Sequence, residues 1–183
     1  MLQFVANVTR ILTIGPVDTQ VAFVLFSDVA TVEWDLRRYH DKDNLTSAIR
    51  NVRYIGNASN LNDALYLTWS NVFVPGNGTR PNARKVTVIL TDGIDNQPVE
   101  ANATRCKSDG IRLITVGVTN MTNCGRLMQI ASSPSDLFSV NDFVDLENTV
   151  AVLTQQICTV PPATSIVTHS AYTLERQRKL LLT

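Results

Sequence analysis

Apolar positions recur at Phe4, Val5, Val8, Ile11 and Leu12, the one-sided spacing that predicts an amphipathic helix at the start of the chain. The unbroken apolar run from Val21 to Phe26 predicts a strand buried on both faces. Ser27 and Asp28 mark a turn. Val32, Trp34 and Leu36 then alternate with Glu33 and Asp35, which predicts a half-exposed strand in an antiparallel hairpin with the first. Leu45, Ala48, Ile49 and Val52 trace a short helix face that Asn44 or Asp43 is expected to cap. After a polar loop at 56–60, Leu61, Ala64, Leu65, Trp69 and Val72 lie on one side of another helix. Pro75 to Gly78 and Pro81–Asn82 mark a surface loop. A second buried strand, Val86 to Leu90, ends at Thr91-Asp92-Gly93. A helix over roughly 98–109 is expected to stop at Gly110, and a third buried strand runs from Ile111 to Val118. A short helix near 123–131, a brief strand Leu137–Val140 and a last helix carrying Leu146, Val150, Leu153 and Ile157 complete the pattern.

Strands alternating with helices imply an α/β fold, Rossmann-like and doubly wound. Its sheet is expected to be mainly parallel, with one antiparallel edge strand and helices on both faces. The pattern defines one domain over residues 1–158. Residues 159–183 lack periodicity apart from a short basic end and read as a linker or tail. The length of 183 residues and mass of 20.2 kDa suit one such domain. With 44% hydrophobic and 17% charged residues the chain is neither disordered nor a coiled coil. Sixteen Lys and Arg balance sixteen Asp and Glu, which removes the electrostatic case for nucleic acid or an anionic membrane as partner. No apolar run approaches the roughly 20 residues of a membrane span. The first residues are no signal peptide, because Asn7, Thr9 and Arg10 interrupt any apolar core. The chain therefore opens inside a helix without a lead-in.

Cys106, Cys124 and Cys158 show no CxxC and no zinc-like spacing. Six N-x-[ST] sequons, at Asn7, Asn44, Asn57, Asn77, Asn102 and Asn120, exceed the two or three expected by chance and point to glycosylation in an oxidising, secreted setting. Cys106 and Cys124 sit on the helices before and after the third buried strand. If those helices are neighbours the two can form a disulfide; the alternative is three buried free thiols in an intracellular protein.

Several strings in register resemble the von Willebrand factor A domain family. They are Thr19–Asp28, Ile49–Gly56, Val88–Gly93, Gly110–Val118, Ile130–Pro134 and Phe138–Phe143, in the family's order, and the resemblance covers about residues 1–158. The resemblance implies an extracellular adhesion or matrix module that binds a protein ligand, collagen-like or another matrix protein. It also implies a metal-ion-dependent adhesion site for Mg²⁺ or Mn²⁺, with hydroxyl and carboxylate ligands on three loops. Asp92 matches the family's carboxylate and Ser59 stands where the family usually has Thr. Leu61 replaces the next family Thr, and Asp95 is a nearby extra carboxylate without a role. Cys158 resembles a family cysteine whose partner lies upstream of the first strand.

The family's opening central strand, with its Asp-x-Ser-x-Ser motif, has no counterpart before the first helix. The expected result is an incomplete, N-terminally truncated domain with a degenerate metal site, in which Ser59 and Asp92 supply two ligands only. Without that strand two buried sheet edges lack partners. Both residues also have plainer readings, Asp92 as a turn residue before Gly93 and Ser59 as a helix cap. Ser59 completes the sequon of Asn57, so a glycan there would crowd the metal face. The rival functional reading is a fragment of a larger matrix or adhesion protein with no function of its own. An α/β enzyme is a remote third: GxGxxG, Walker and GxSxG motifs are missing, and His40 and His169 are the two imidazoles. Trp34, on the half-exposed edge strand, marks a partner surface or is covered by its own hairpin.

Overall fold

The computed structural model describes residues 1–53, 60–93, 97–118, 124–140, 143–158 and 180–182. Helix α1 (Leu2–Ile11) turns Phe4, Val5 and Val8 inward, as their spacing predicts. Strands β1 (Phe23–Phe26) and β2 (Ala30–Trp34) form the expected antiparallel hairpin; β1 is buried throughout and β2 alternates. Trp34 stacks on Phe23 at 4.9 Å and meets Tyr39 edge-on at 5.3 Å, so its own hairpin covers it.

Helix α2 (Lys42–Arg50) begins a turn earlier than its apolar face suggests. Its cap is Asp41, whose carboxylate accepts the Asn44 backbone N–H at 2.8 Å, in place of Asn44 or Asp43. Helix α3 (Leu61–Leu67) continues as a π-turn over Thr68–Val72, and β3 (Lys85–Thr91) follows. Helix α4 (Glu100–Ser108) stops before Gly110, whose φ of 74° is the left-handed conformation that suits glycine there. Then come β4 (Ile111–Val118), α5 (Cys124–Ile130) and β5 (Leu137–Val140). The single last helix of the sequence pattern is two, α6 (Phe143–Asn148) and α7 (Val150–Cys158). They break at Thr149, whose hydroxyl and N–H both donate to the Leu146 carbonyl.

The sheet order is β2-β1-β6-β3-β4-β5, where β6 is Leu180–Leu182. β3, β4 and β5 are parallel, and β2 is the antiparallel edge. Part of the segment expected to be a linker or tail thus lies in the middle of the sheet. β6 runs antiparallel to both neighbours, with Leu180, Leu181 and Leu182 opposite Leu25, Val24 and Phe23 on one side and Leu90, Ile89 and Val88 on the other. The physical reason is that β1 and β3 each present a buried edge whose N–H and C=O groups need a strand, the vacancy that the family resemblance implies. One apolar cluster packs α1, α2 and α7 on one face of the sheet through residues such as Phe4, Leu45, Phe23, Leu90 and Leu153. A second packs α3 and α4 on the other through Val24, Leu61, Ile89, Ala103 and Leu113.

Candidate functional site

Both β1 and β3 are antiparallel to β6, so they run parallel to each other and their carboxyl ends open on one rim of the sheet. In open α/β sheets that rim is where ligands bind. Ser27 and Asp28 leave β1 there, and Asp92 and Gly93 leave β3. Two strand spacings, about 10 Å, separate the two exits.

Asn60 organises the β1 side of this rim. Its backbone N–H donates to the Ser27 carbonyl at 2.6 Å, and its side-chain amide donates to the Asp28 carbonyl at 3.2 Å. The same amide reaches the Asp63 carboxylate at 2.8 Å, while Asn60 Oδ1 accepts the Asp63 N–H at 3.1 Å. Asn60 therefore caps α3, the role one sequence reading gave to Ser59, and ties that helix to the end of β1. A preference of Asn for helix N-caps is the signal that reveals it in the sequence.

On the β3 side, Thr91 is fully buried. Its hydroxyl donates to the Gly93 carbonyl and accepts the Gly93 N–H at 3.2 Å, which shapes the turn that carries half-buried Asp92. Ser59, Asp95 and the sequon residues Asn57 and Asn120 lie outside the described residues. Among the described residues, no group of three or more His, Cys, Asp or Glu side chains is placed to hold a metal. Asp63 is engaged by Asn60, and Asp92 is the one described member of the expected ligand pair. Mg²⁺ asks for octahedral oxygen coordination anchored by carboxylates, and the described donors alone do not fit it.

The other candidate positions scatter. Cys106 is fully buried on α4 as a free thiol, its sulfur 3.5 Å from the Leu65 carbonyl of α3. The expected Cys106–Cys124 bridge is therefore not formed here, because this sulfur points into the cluster between α3 and α4. Cys124 opens α5, and its side chain lies outside the description. Burial, with Asp109 adding to it, pushes the Cys106 thiol up to about 11. Cys158 is a free, exposed thiol at the end of α7.

Among the sequons, Asn44 is exposed. Asn7 and Asn77 are half-buried, with amides donating to Glu147 at 2.6 Å and to the Asn71 carbonyl at 2.7 Å. Asn102 is 7% exposed, its amide 2.9 Å from Asn62 Oδ1 and its oxygen accepting from Arg105 at 3.0 Å. His40 is exposed, and His169 lies outside the described residues.

The sequence pattern gave no sign of a polar knot at the opposite end of β4. Arg112 donates to Asp136 at 2.6 and 2.9 Å, to the Gln156 carbonyl at 2.7 Å and to Gln156 Oε1 at 2.9 Å. Ser133 donates to the other Asp136 oxygen at 2.7 Å. The knot fastens α7 to the sheet.

Comparison with known proteins agrees with this architecture. The model of the von Willebrand factor type A domain matches residues 1–152. The collagen alpha-1(XII) chain of Notophthalmus viridescens is 35% identical over 157 residues, covering 85% of this chain and 17% of that one. Matrilin-1 of Homo sapiens is 29% identical over 158 residues, covering 85% of this chain and 32% of its own. The chain thus spans less than a third of the length of these relatives. Proximal thread matrix protein 1 from the mussel byssus, solved with a zinc-occupied MIDAS motif, superposes with a TM-score of 0.81 at 22% identity, over 86% of this chain and 42% of that one. That likeness is one of fold. With the strand order, the helices on both faces and a family match over most of its length, the chain belongs to the von Willebrand factor type A domain family.

Proposed function

We propose that this chain is an extracellular, non-enzymatic protein-binding module that takes a collagen-like or other matrix protein as ligand. The observation that carries the reading is its similarity to matrix proteins over 85% of its length. Its sequons agree with a secreted setting. The adhesion site is incomplete in this chain: Ser59 and Asp92 are the ligands retained, and a single carboxylate with one hydroxyl holds Mg²⁺ or Mn²⁺ weakly or not at all. Binding therefore proceeds without a divalent ion. The rival reading is a piece of a larger matrix or adhesion protein with no function of its own; the chain spans less than a third of the length of its matrix relatives.

Surface plasmon resonance against immobilised fibrillar collagen and a triple-helical collagen peptide tests both parts. The expected result is saturable binding that is equal in EDTA and in millimolar Mn²⁺, with Asp92→Asn unchanged within about twofold. Loss of binding in EDTA would overturn the metal-independent part, and no binding to either surface would overturn the choice of ligand.

A further inference from the structure

Four of the six sequon asparagines lie among the described residues, and the fold treats them unequally. Asn44 stands on the outer face of α2, exposed together with Asp43 and Ser47, while Leu45, Thr46 and Ile49 turn inward. Its backbone N–H is taken by the Asp41 cap at 2.8 Å, and among the described residues its side-chain amide has no hydrogen-bond partner. Asn102 is the opposite case. It is 7% exposed on α4, and its amide donates to both oxygens of Asn62, the side-chain Oδ1 at 2.9 Å and the backbone carbonyl at 3.2 Å. Its own Oδ1 accepts from Arg105 at 3.0 Å. The polar atoms of this side chain are thus spent holding α3 to α4. Thr104, which completes the sequon, is exposed. Asn7 and Asn77, both half-buried, fall between these extremes.

We propose, on the secreted setting of the proposed function, that Asn44 carries an N-linked oligosaccharide in the folded protein and that Asn102, despite its sequon, is bare. In the transfer, the amide Nδ2 attacks the anomeric carbon of a lipid-linked oligosaccharyl pyrophosphate. A C–N bond forms, the C–O bond from sugar to phosphate breaks, the lipid pyrophosphate leaves and Nδ2 gives up one of its two protons. The chain accepts the sugar before it folds, so folding then selects among the modified chains. A modified amide keeps one N–H and bears a bulky, solubilising substituent. At Asn44 water surrounds both. At Asn102 one of the two bonds to Asn62 is lost, and a pyranose ring has to enter the close-packed seam between α3 and α4. A chain modified there does not close that seam. The sugar therefore stands on the α2 side of the sheet.

The test expresses the full chain in mammalian cells behind a cleavable secretion leader. The route is then imposed, so a bare Asn44 counts against this site and not against the secreted setting. Protein from the medium is treated with peptide-N-glycosidase F in heavy-oxygen water, which leaves a labelled Asp wherever a glycan stood, and is mapped by mass spectrometry. A label on Asn44 and none on Asn102 is expected. Asn44→Gln is expected to remove one glycan step from the gel mobility of the secreted protein and to leave its melting temperature within about 2 °C of the parent. Thr104→Ala destroys the Asn102 sequon without touching Asn102, and is expected to leave the mobility unchanged. Asn102→Ala is expected to lower the melting temperature by at least about 3 °C, since it strands the groups on Asn62 and Arg105. A bare Asn44, a labelled Asn102 in secreted protein, or a mobility step lost with Thr104→Ala would each overturn the assignment. A chain wholly retained in the cell would overturn it too, because no folded form with sugar at Asn44 would then exist. Sugar on Asn102 confined to a retained fraction would support it, as the mark of chains that folding rejects.

Discussion

Cys106 shows how one side chain's surroundings set its chemistry. Its thiol is fully buried between α3 and α4, and burial in an apolar cluster disfavours the thiolate, which is the reactive form. With the folded value raised from 9.0 to about 11, the unfolded chain loses this proton first. Stability from this group is whole below pH 9 and falls as the pH rises towards 11, since the unfolded state then binds fewer protons than the native one. A native-state Ellman titration at pH 8 is expected to modify exposed Cys158 within minutes and to leave Cys106 untouched until denaturant is added. Rapid labelling of Cys106, located by peptide mapping, would contradict its placement. Asp92 is the opposite case. The sequence located it at the end of a buried strand, and there it stands, but its neighbours decide whether it is a ligand or a turn residue, and those are set by loops distant in sequence.

At the scale of elements, legibility followed periodicity. α1, β1, β3 and β4 were readable because one face or both faces of each are buried, and burial writes its period into the chain. The α2 cap was misplaced because several polar residues precede the apolar face, and only geometry selects Asp41. The Arg112 knot was unreadable: a lone arginine in an apolar strand gives no hint of a partner on the turn before β5. Its side chain is 12% exposed and that of Asp136 is 1% exposed. Removing one member strands the other charge, so Asp136→Ala is expected to cost about 3–5 kcal/mol in urea unfolding. The double variant Arg112→Met/Asp136→Leu should recover most of that loss, because it leaves no buried charge. A double variant as unstable as the single one would show that packing around Gln156, and not the stranded charge, holds α7 to the sheet.

The whole molecule rests on a sheet with an apolar cluster on each face, and both clusters contain residues of β1 and of β3, the two strands that flank β6. The family resemblance announced that a strand was wanted between β1 and β3. It did not announce which segment would come. Leu180–Leu182 follows a basic stretch in a segment without periodicity, and its pairing with Val24 spans nearly the entire chain. The site on the rim above inherits the consequence. The strand between the exits of β1 and β3 contributes no hydroxyl or carboxylate of its own, since all three of its residues are leucine. A divalent ion would therefore have to be held by Asp92 and the neighbouring loop. A ligand that binds only the native state raises stability by RT ln(1 + [L]/Kd), which is about 0.4 kcal/mol when a millimolar ion meets a millimolar site. For a chain of this size that moves the melting temperature by about 1–2 °C at most. Calorimetric scans of the oxidised, deglycosylated protein in EDTA, in Mg²⁺ and in Mn²⁺ are accordingly expected to superpose within that margin. An upward shift of 5 °C or more in Mn²⁺, abolished by Asp92→Asn, would mean that the rim assembles a complete ion site despite the leucine strand, and that adhesion by this module is metal-dependent after all.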